Sequence, residues 1–179
     1  ISAYGEGSRP QINTNGHGQW ELNYGTPLDN QNHKWKGTVS SSILIEDTEY
    51  IEIEGLELTN NRNSETDTKK GKAYNDAYAM DRTGVAGVAK DNGTVDHIVL
   101  NDLYIHHVTG NVYNKHMTNG GIYFIVEKPA DEGATGIARY NDVKITNCSL
   151  DTVNRWGIAV GYTYQWGQFT TGALSDATM

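Results

Sequence analysis

Three stretches of the chain fall on one eight-residue template. Ile51-Glu-Ile-Glu-Gly-Leu-Glu-Leu58, Ile98-Val-Leu-Asn-Asp-Leu-Tyr-Ile105 and Val143-Lys-Ile-Thr-Asn-Cys-Ser-Leu150 align without a gap. Apolar residues recur at 51, 53, 56 and 58, at 98, 100, 103 and 105, and at 143, 145, 148 and 150. A plain strand alternates with period two. Here two residues, not one, separate the second and third apolar positions. The second of them is Gly55, Asp102 or Asn147, types that enter the left-handed backbone region at low cost. Each stretch therefore predicts a strand, a sharp bend at one left-handed residue, and a second strand. A bend repeated at a fixed place predicts coils stacked on coils. The expected fold is all-β, a parallel β-helix solenoid of about four coils with long loop insertions.

Composition fits a thin-walled solenoid. Only 37% of the 179 residues are hydrophobic, and glycine is plentiful at 20. The net charge of −8 argues against nucleic acid and anionic membrane, since both reward a basic face. No apolar run approaches the roughly 18 residues of a membrane span. Aromatics are mostly Tyr (11) and Trp (4), with two Phe, a set suited to a polar surface on which rings stack. Cys148 is the single cysteine; it falls at an inward position and reads as a small buried hydrophobe. The chain begins at Ile1, not Met, as a trimmed or cleaved product would.

The organisation reads as one β-helix segment, 1–179. Residues 1–37 form an opening coil with loops and two short strands. Residues 38–161 hold the regular rungs, and 162–179 an unfinished coil or tail. Rung one joins 41–45 to 50–58, rung two 83–89 to 97–108, and rung three 120–126 to 142–153. A fourth opens at Trp156-Gly-Ile-Ala-Val-Gly161 and has no second half. Leading strands carry Gly84, Gly121 and Gly157 at matching places, so the register is kept. Polar insertions at 60–80 and 127–140 are expected on one face. An open last coil exposes unpaired strand edges. The chain is therefore expected to continue into a longer solenoid or to sit against another chain.

Polar and aromatic segments mark the seams between rungs: Met80-Asp-Arg-Thr-Gly84, Asn111–Gly120, and Asn154-Arg-Trp156 running on to Tyr162, Tyr164 and Trp166. At one phase of successive coils, Asp81, Asn119, Arg155 and Trp156 would stack into a shared surface groove. Donors, acceptors and a ring are what a sugar needs. The same pattern also fits asparagines that ladder along turns and an arginine that caps strand ends. Asp81, Asp91, Asp102 and Asp151 are candidate carboxylates. Glycoside hydrolysis needs two carboxyls roughly 5–9.5 Å apart, and no pair in the sequence stands out. Asp102 is explained by its bend and Asp151 by a turn, which leaves Asp81 as the catalytic candidate. His106 and His107 follow a strand, with His116 further on. Adjacent strand residues point to opposite faces, so the two are poor joint metal ligands. Calcium held by Asp, Asn and backbone oxygens leaves no local signature.

Met80-Asp-Arg-Thr-Gly-Val-Ala-Gly-Val-Ala89, Gly110-Asn-Val-Tyr-Asn-Lys-His-Met117, Asn119-Gly-Gly-Ile-Tyr-Phe124 and Asn154-Arg-Trp-Gly-Ile-Ala-Val-Gly-Tyr162 carry a resemblance. The whole chain resembles the right-handed parallel β-helix proteins of the pectin-lyase-like superfamily. Within them these motifs resemble the lacto-N-biosidase type of enzyme found in gut bacteria. The resemblance implies a secreted or cell-surface bacterial glycoside hydrolase that releases lacto-N-biose (Galβ1-3GlcNAc) from milk-type or mucin-type oligosaccharides by a retaining mechanism. It also implies Ca²⁺ and a chaperone-like partner segment. Substrate-binding candidates are Asn119, Arg155, Trp156 and Tyr162. The family's catalytic pair is two aspartates seven positions apart, and no two aspartates here have that spacing. The chain then reads as an N-terminal portion whose catalytic pair lies in the remainder of the helix. Two rivals share the fold: a polysaccharide lyase, and a non-catalytic carbohydrate-binding or adhesive solenoid.

Overall fold

The computed structural model describes residues 1–23, 36–61, 80–110 and 118–160. Twelve strands account for most of them: β1 (Gln11–Asn13), β2 (Gln19–Asn23), β3 (Lys36–Glu46), β4 (Ile51–Glu54), β5 (Glu57–Asn60), β6 (Asp81–Ala89), β7 (Thr94–Asn101), β8 (Tyr104–Val108), β9 (Gly120–Val126), β10 (Arg139–Thr146), β11 (Ser149–Val153) and β12 (Trp156–Val160). The strands form three sheets, in the orders β1-β5-β8-β11, β10-β7-β4 and β12-β9-β6-β3-β2. From β3 onward the chain visits the three sheets in a fixed cycle. Each pass lays one strand on each sheet. Every pairing is parallel except β2 with β3. Among the described residues the fold is thus all-β apart from one short helical turn, and no sheet closes on itself.

The template residues sit one above another. Ile51 pairs with Ile98 and Ile98 with Val143; Leu58 pairs with Ile105 and Ile105 with Leu150. Their inward side chains join Val85 and Ile122 in one apolar cluster, where Ile98, Leu100, Leu103 and Ile105 are wholly buried. Burying a side chain of this size stabilises by about 1.5–3 kcal/mol. Val143, Ile145, Cys148 and Leu150 are only half-buried, because β10 and β11 are the outermost described strands of their sheets.

The bends are where the spacing requires them. Gly55, Asp102 and Asn147 have φ of 69°, 52° and 53°. The Gly55 N–H donates to Asn101 O (3.2 Å) and the Asp102 N–H to Thr146 O (3.1 Å). The first two bends are thus hydrogen-bonded to the next pass. Arg9 clamps the middle one, donating to Asp102 O at 3.1 Å and Asp102 Oδ1 at 2.5 Å.

A second left-handed ladder has no counterpart in the sequence reading. Tyr50, His97 and Asp142 have φ of 53°, 53° and 54°. The latter two lie inside β7 and β10, which begin four residues earlier than the template does. Here the side chains interlock. The Tyr50 and His97 rings stack at 6.3 Å. His97 Nδ1 lies 2.7 Å from Asp142 Oδ2, and its Nε2 lies 3.1 Å from Glu52 Oε1. Lys144 Nζ reaches Asp142 Oδ1 at 2.8 Å. The strand that leads the first rung also differs from expectation. β3 starts at Lys36, and β2 runs antiparallel to it rather than adding a parallel rung. The insertion at 127–140 carries α1 (Glu132–Thr135), capped by Asp131 Oδ1, which accepts the Ala134 N–H at 3.1 Å. Most of the other insertion, 62–79, lies outside the described residues.

Asp142 and then Glu52 raise the pKa of His97. The protonated ring therefore stabilises the fold fully below the ordinary histidine value of about 6.5, and that contribution fades as pH rises through the folded value. His97→Gln is expected to lower the thermal midpoint more at about pH 6 than at about pH 9. Parallel melts of both proteins across that window check it.

Candidate functional site

The corner between the β5-β8-β11 sheet and the β6-β9-β12 sheet is polar inside. Turning there leaves backbone groups that must find partners, and asparagines supply them. Asn60 Nδ2 donates to Ser40 O (3.0 Å) and Thr83 O (3.1 Å), while its Oδ1 accepts the Gly16 N–H (2.9 Å). Further along, Asn119 Oδ1 accepts the Arg82 N–H at 2.7 Å, and Asn154 Nδ2 donates to Gly110 O at 3.1 Å. The Thr118 hydroxyl donates to Asp81 Oδ2. Gly110 is required: a Cβ there would lie 1.9 Å from Asn119 Oδ1.

Four sequence candidates meet at this corner. Thr83 pairs with Gly120 and Gly120 with Trp156, so Asp81, Asn119 and the Arg155–Trp156 pair follow one another along it. They do not share one surface. Asp81 and Asn119 are fully buried, because their side chains serve the backbone and hydroxyl groups of the turn. Arg155 and Trp156 are exposed, Trp156 to 38%. Arg155 holds φ 75°, a left-handed residue at the mouth of β12. Tyr162, Tyr164, Trp166 and His116 lie outside the described residues. The corner thus offers an indole face and a guanidinium over a buried amide and carboxylate layer. That combination suits a polar ligand with an apolar face.

The other carboxylates are occupied elsewhere. Asp91 Oδ1 accepts the Ala130 N–H (2.7 Å), Asp102 pairs with Arg9, and Asp151 accepts the Thr152 hydroxyl (3.0 Å). Among the described residues no three His, Cys, Asp or Glu side chains converge as a metal cage. Burial raises the Cys148 thiol pKa, consistent with an inert packing role. One expectation fails outright. His106 and His107 do not point apart: their Nδ1 atoms lie 2.6 Å from each other. The cause is the backbone. His107 has φ 51°, which breaks the alternation that a regular strand would impose.

No protein-family model matches the chain. A lacto-N-biosidase of Bifidobacterium longum subsp. longum is 40% identical over 205 aligned residues, covering 99% of this chain and 13% of its own length. Two crystal structures of a GH136 lacto-N-biosidase from Eubacterium ramulus, a selenomethionine derivative and the native protein, align at 49% and 48% identity. Both have a TM-score of 0.85; they cover 95% and 97% of this chain and 27% of their own. The chain is a homologue of part of these lacto-N-biosidases. It spans a minor share of either relative's length.

One residue of this lacto-N-biosidase homologue escaped the sequence reading. Glu127, just past β9, is 2% exposed. Its Oε1 accepts the Asn23 N–H at 2.7 Å and its Oε2 lies 3.9 Å from Lys90 Nζ. It ties the end of β2 to a strand more than a hundred residues later. Burial raises its pKa to about 7, against the pull of Asn23 and Lys90. The neighbouring Tyr140 hydroxyl, buried as well, is raised well above its ordinary value for the same reason. No periodicity marks Glu127; a glutamate ending an apolar run looks like a solvated terminus. A carboxyl with a raised folded pKa contributes stability that is complete below its unfolded value and is lost as pH climbs through the folded one. Wild-type protein should therefore weaken between about pH 4.5 and about pH 7, by on the order of 2–3 kcal/mol. Glu127→Gln keeps the acceptor for Asn23 and should remove that slope, which denaturation midpoints at both ends of the window will reveal.

Proposed function

We propose that this chain is a segment of a right-handed parallel β-helix within a secreted or cell-surface bacterial glycoside hydrolase that releases lacto-N-biose-type disaccharides from host oligosaccharides. The carrying observation is the 49% identity and TM-score of 0.85, over 95% of the chain, with the Eubacterium ramulus lacto-N-biosidase. The cyclic visits to three parallel sheets support the helix. In this reading Arg155 and Trp156 line the substrate groove. Asn119 supports it from within by fixing the Arg82 backbone. Asp81, bonded to Thr118, holds the same corner and does not touch the sugar. The catalytic carboxylates lie in the remainder of the helix, since no two aspartates here are seven positions apart. A retaining reaction would need them about 5–5.5 Å apart, one as nucleophile and one as acid then base. Calcium and a chaperone-like segment, implied by the sequence resemblance, would serve the complete protein. The described residues offer no three-ligand carboxylate or imidazole cage for the ion, and no step is routed through it.

The test is incubation of the complete protein with an oligosaccharide ending in Galβ1-3GlcNAc. Release of the free disaccharide is the expected outcome. An unsaturated, ultraviolet-absorbing product would instead establish a lyase, and binding without turnover an adhesive solenoid. Trp156→Ala should raise KM roughly tenfold, the loss of one stacking face, with kcat and thermal midpoint little changed. An unchanged KM would remove Trp156 from the groove.

A further inference from the structure

The outer face of the β1-β5-β8-β11 sheet carries a polar row that the proposed hydrolase does not use. Gln11 pairs with Glu57 and Glu57 with Tyr104 in the sheet register. Gln11 Nε2 donates to Glu57 Oε1 at 2.5 Å, and the same oxygen lies 2.9 Å from His106 Nε2. The Tyr104 ring stacks on His106 at 4.4 Å and 22°. His106 is thereby held on two sides. A carboxylate oxygen only accepts, so the Glu57 contact takes the hydrogen on His106 Nε2. The lone pair of His106 then resides on Nδ1. That atom faces His107 Nδ1 at 2.6 Å, with the rings near perpendicular at 79°.

The backbone is shaped for this meeting. β5 and β8 slip register between Thr59 and Asn60: Thr59 pairs with His106 but Asn60 with Val108. His107 is the extra residue. It takes φ 51°, and Thr152 beside it in the next pass takes φ 51° as well. A left-handed histidine costs of order 1 kcal/mol or more, and it buys convergence of two imidazoles on one side of the sheet.

We infer that His106 and His107 form a surface chelate for a divalent transition-metal ion of the Zn²⁺ class, with Glu57 as the carboxylate that orients His106. A ligating histidine characteristically gives its other N–H to a carboxylate, which is the Glu57–His106 arrangement. Imidazole nitrogens suit Zn²⁺. Metal–nitrogen bonds of about 2.0–2.1 Å at a tetrahedral angle place two ligating nitrogens about 3.3 Å apart, so the ion enters after the pair opens by about 0.7 Å and both Nδ1 lone pairs turn toward it. Without metal, His107 Nδ1–H donates to His106 Nδ1. With metal, that proton moves to the Nε2 of the exposed His107 ring and both Nδ1 atoms donate to the ion. Water completes the coordination. Asp151 occupies the register position beside His106 in the next pass, and its charge favours a cation there. The proposal is independent of the glycosidase reading.

The experiment is calorimetric titration of the complete protein with zinc chloride, with circular dichroism to confirm folding of each variant. Wild-type protein should bind a zinc ion that His107→Ala and His106→Ala no longer bind. Glu57→Gln should weaken that ion roughly 10–100-fold, the usual cost of removing such a carboxylate. His17→Ala, on the exposed opening turn, should change nothing. If His106→Ala fails to fold, the exposed His107→Ala decides alone. Zinc binding unchanged in His107→Ala, or no zinc bound by the wild type, overturns the site and leaves a hydrogen-bonded imidazole pair.

Discussion

Everything in this molecule depends on holding one register from pass to pass. In a parallel sheet each strand finds its partner one pass away in sequence, 45 to 47 residues for the template stretches. A slip by one residue would turn every inward side chain outward. The bends prevent it. Gly55, Asp102 and Asn147 turn at the same place in successive passes, and the backbone of one bend donates to the residue beneath the next. A bend displaced by one residue would break the apolar column and that hydrogen bond together. Glycine close-packing reinforces the lock. A Cβ on Gly84 would strike Ile105 at 2.5 Å and the Gly121 carbonyl at 2.7 Å. The leading strands must therefore be bare where the sheets meet.

The same constraint decides where polar chemistry collects. A corner that turns without a helix or a hairpin leaves N–H and C=O groups without ladder partners, and burying them unpaired costs roughly 1–3 kcal/mol each. Asn60, Asn119 and Asn154 answer this by presenting amides to backbone atoms of the neighbouring strands. Outside the corner, charges form ladders for a different reason. His97 and Asp142 share one register column and Glu52 reaches His97 from two residues along, so the three alternate in sign when the imidazole is protonated. Being exposed, that ladder adds little at any one pair; its value lies in opposing a slip.

Legibility in the sequence follows from how local each signal is. The template strands and their bends could be read because period two and a Gly, Asp or Asn in a fixed slot are local patterns. The three-sheet cycle followed from repetition. The Tyr50–His97–Asp142 ladder could not be read, because tyrosine and histidine carry no turn signal; only the contacts across passes hold them left-handed. The extra residue at His107 is visible as a one-residue difference between two passes, but only once the pairing of Thr59 with His106 is known. Glu127 was hidden by distance, since its partner Asn23 lies 104 residues away. At the corner, sequence phase brought Asp81, Asn119, Arg155 and Trp156 together. It could not say which were buried, because an asparagine that serves the backbone and one that serves a ligand look alike.

That distinction separates two jobs which the proposed function needs done by different residues. A groove wall must keep its shape while substrate comes and goes, so its buried groups should be saturated by the protein itself. Asn119 and Asp81 satisfy this: each has a partner inside the fold, on Arg82 and Thr118. Residues that touch a sugar must keep an open face, as Trp156 does at the first position of β12, where it pairs with Gly120 and no Cβ stands opposite it. An added Cβ at Gly120 would lie 2.4 Å from the Trp156 carbonyl. The glycine therefore sets how closely β12 approaches β9, and with it the height of the indole. Position along the corner is thus fixed by backbone packing, while the chemistry on offer is chosen by the one or two side chains left uncovered.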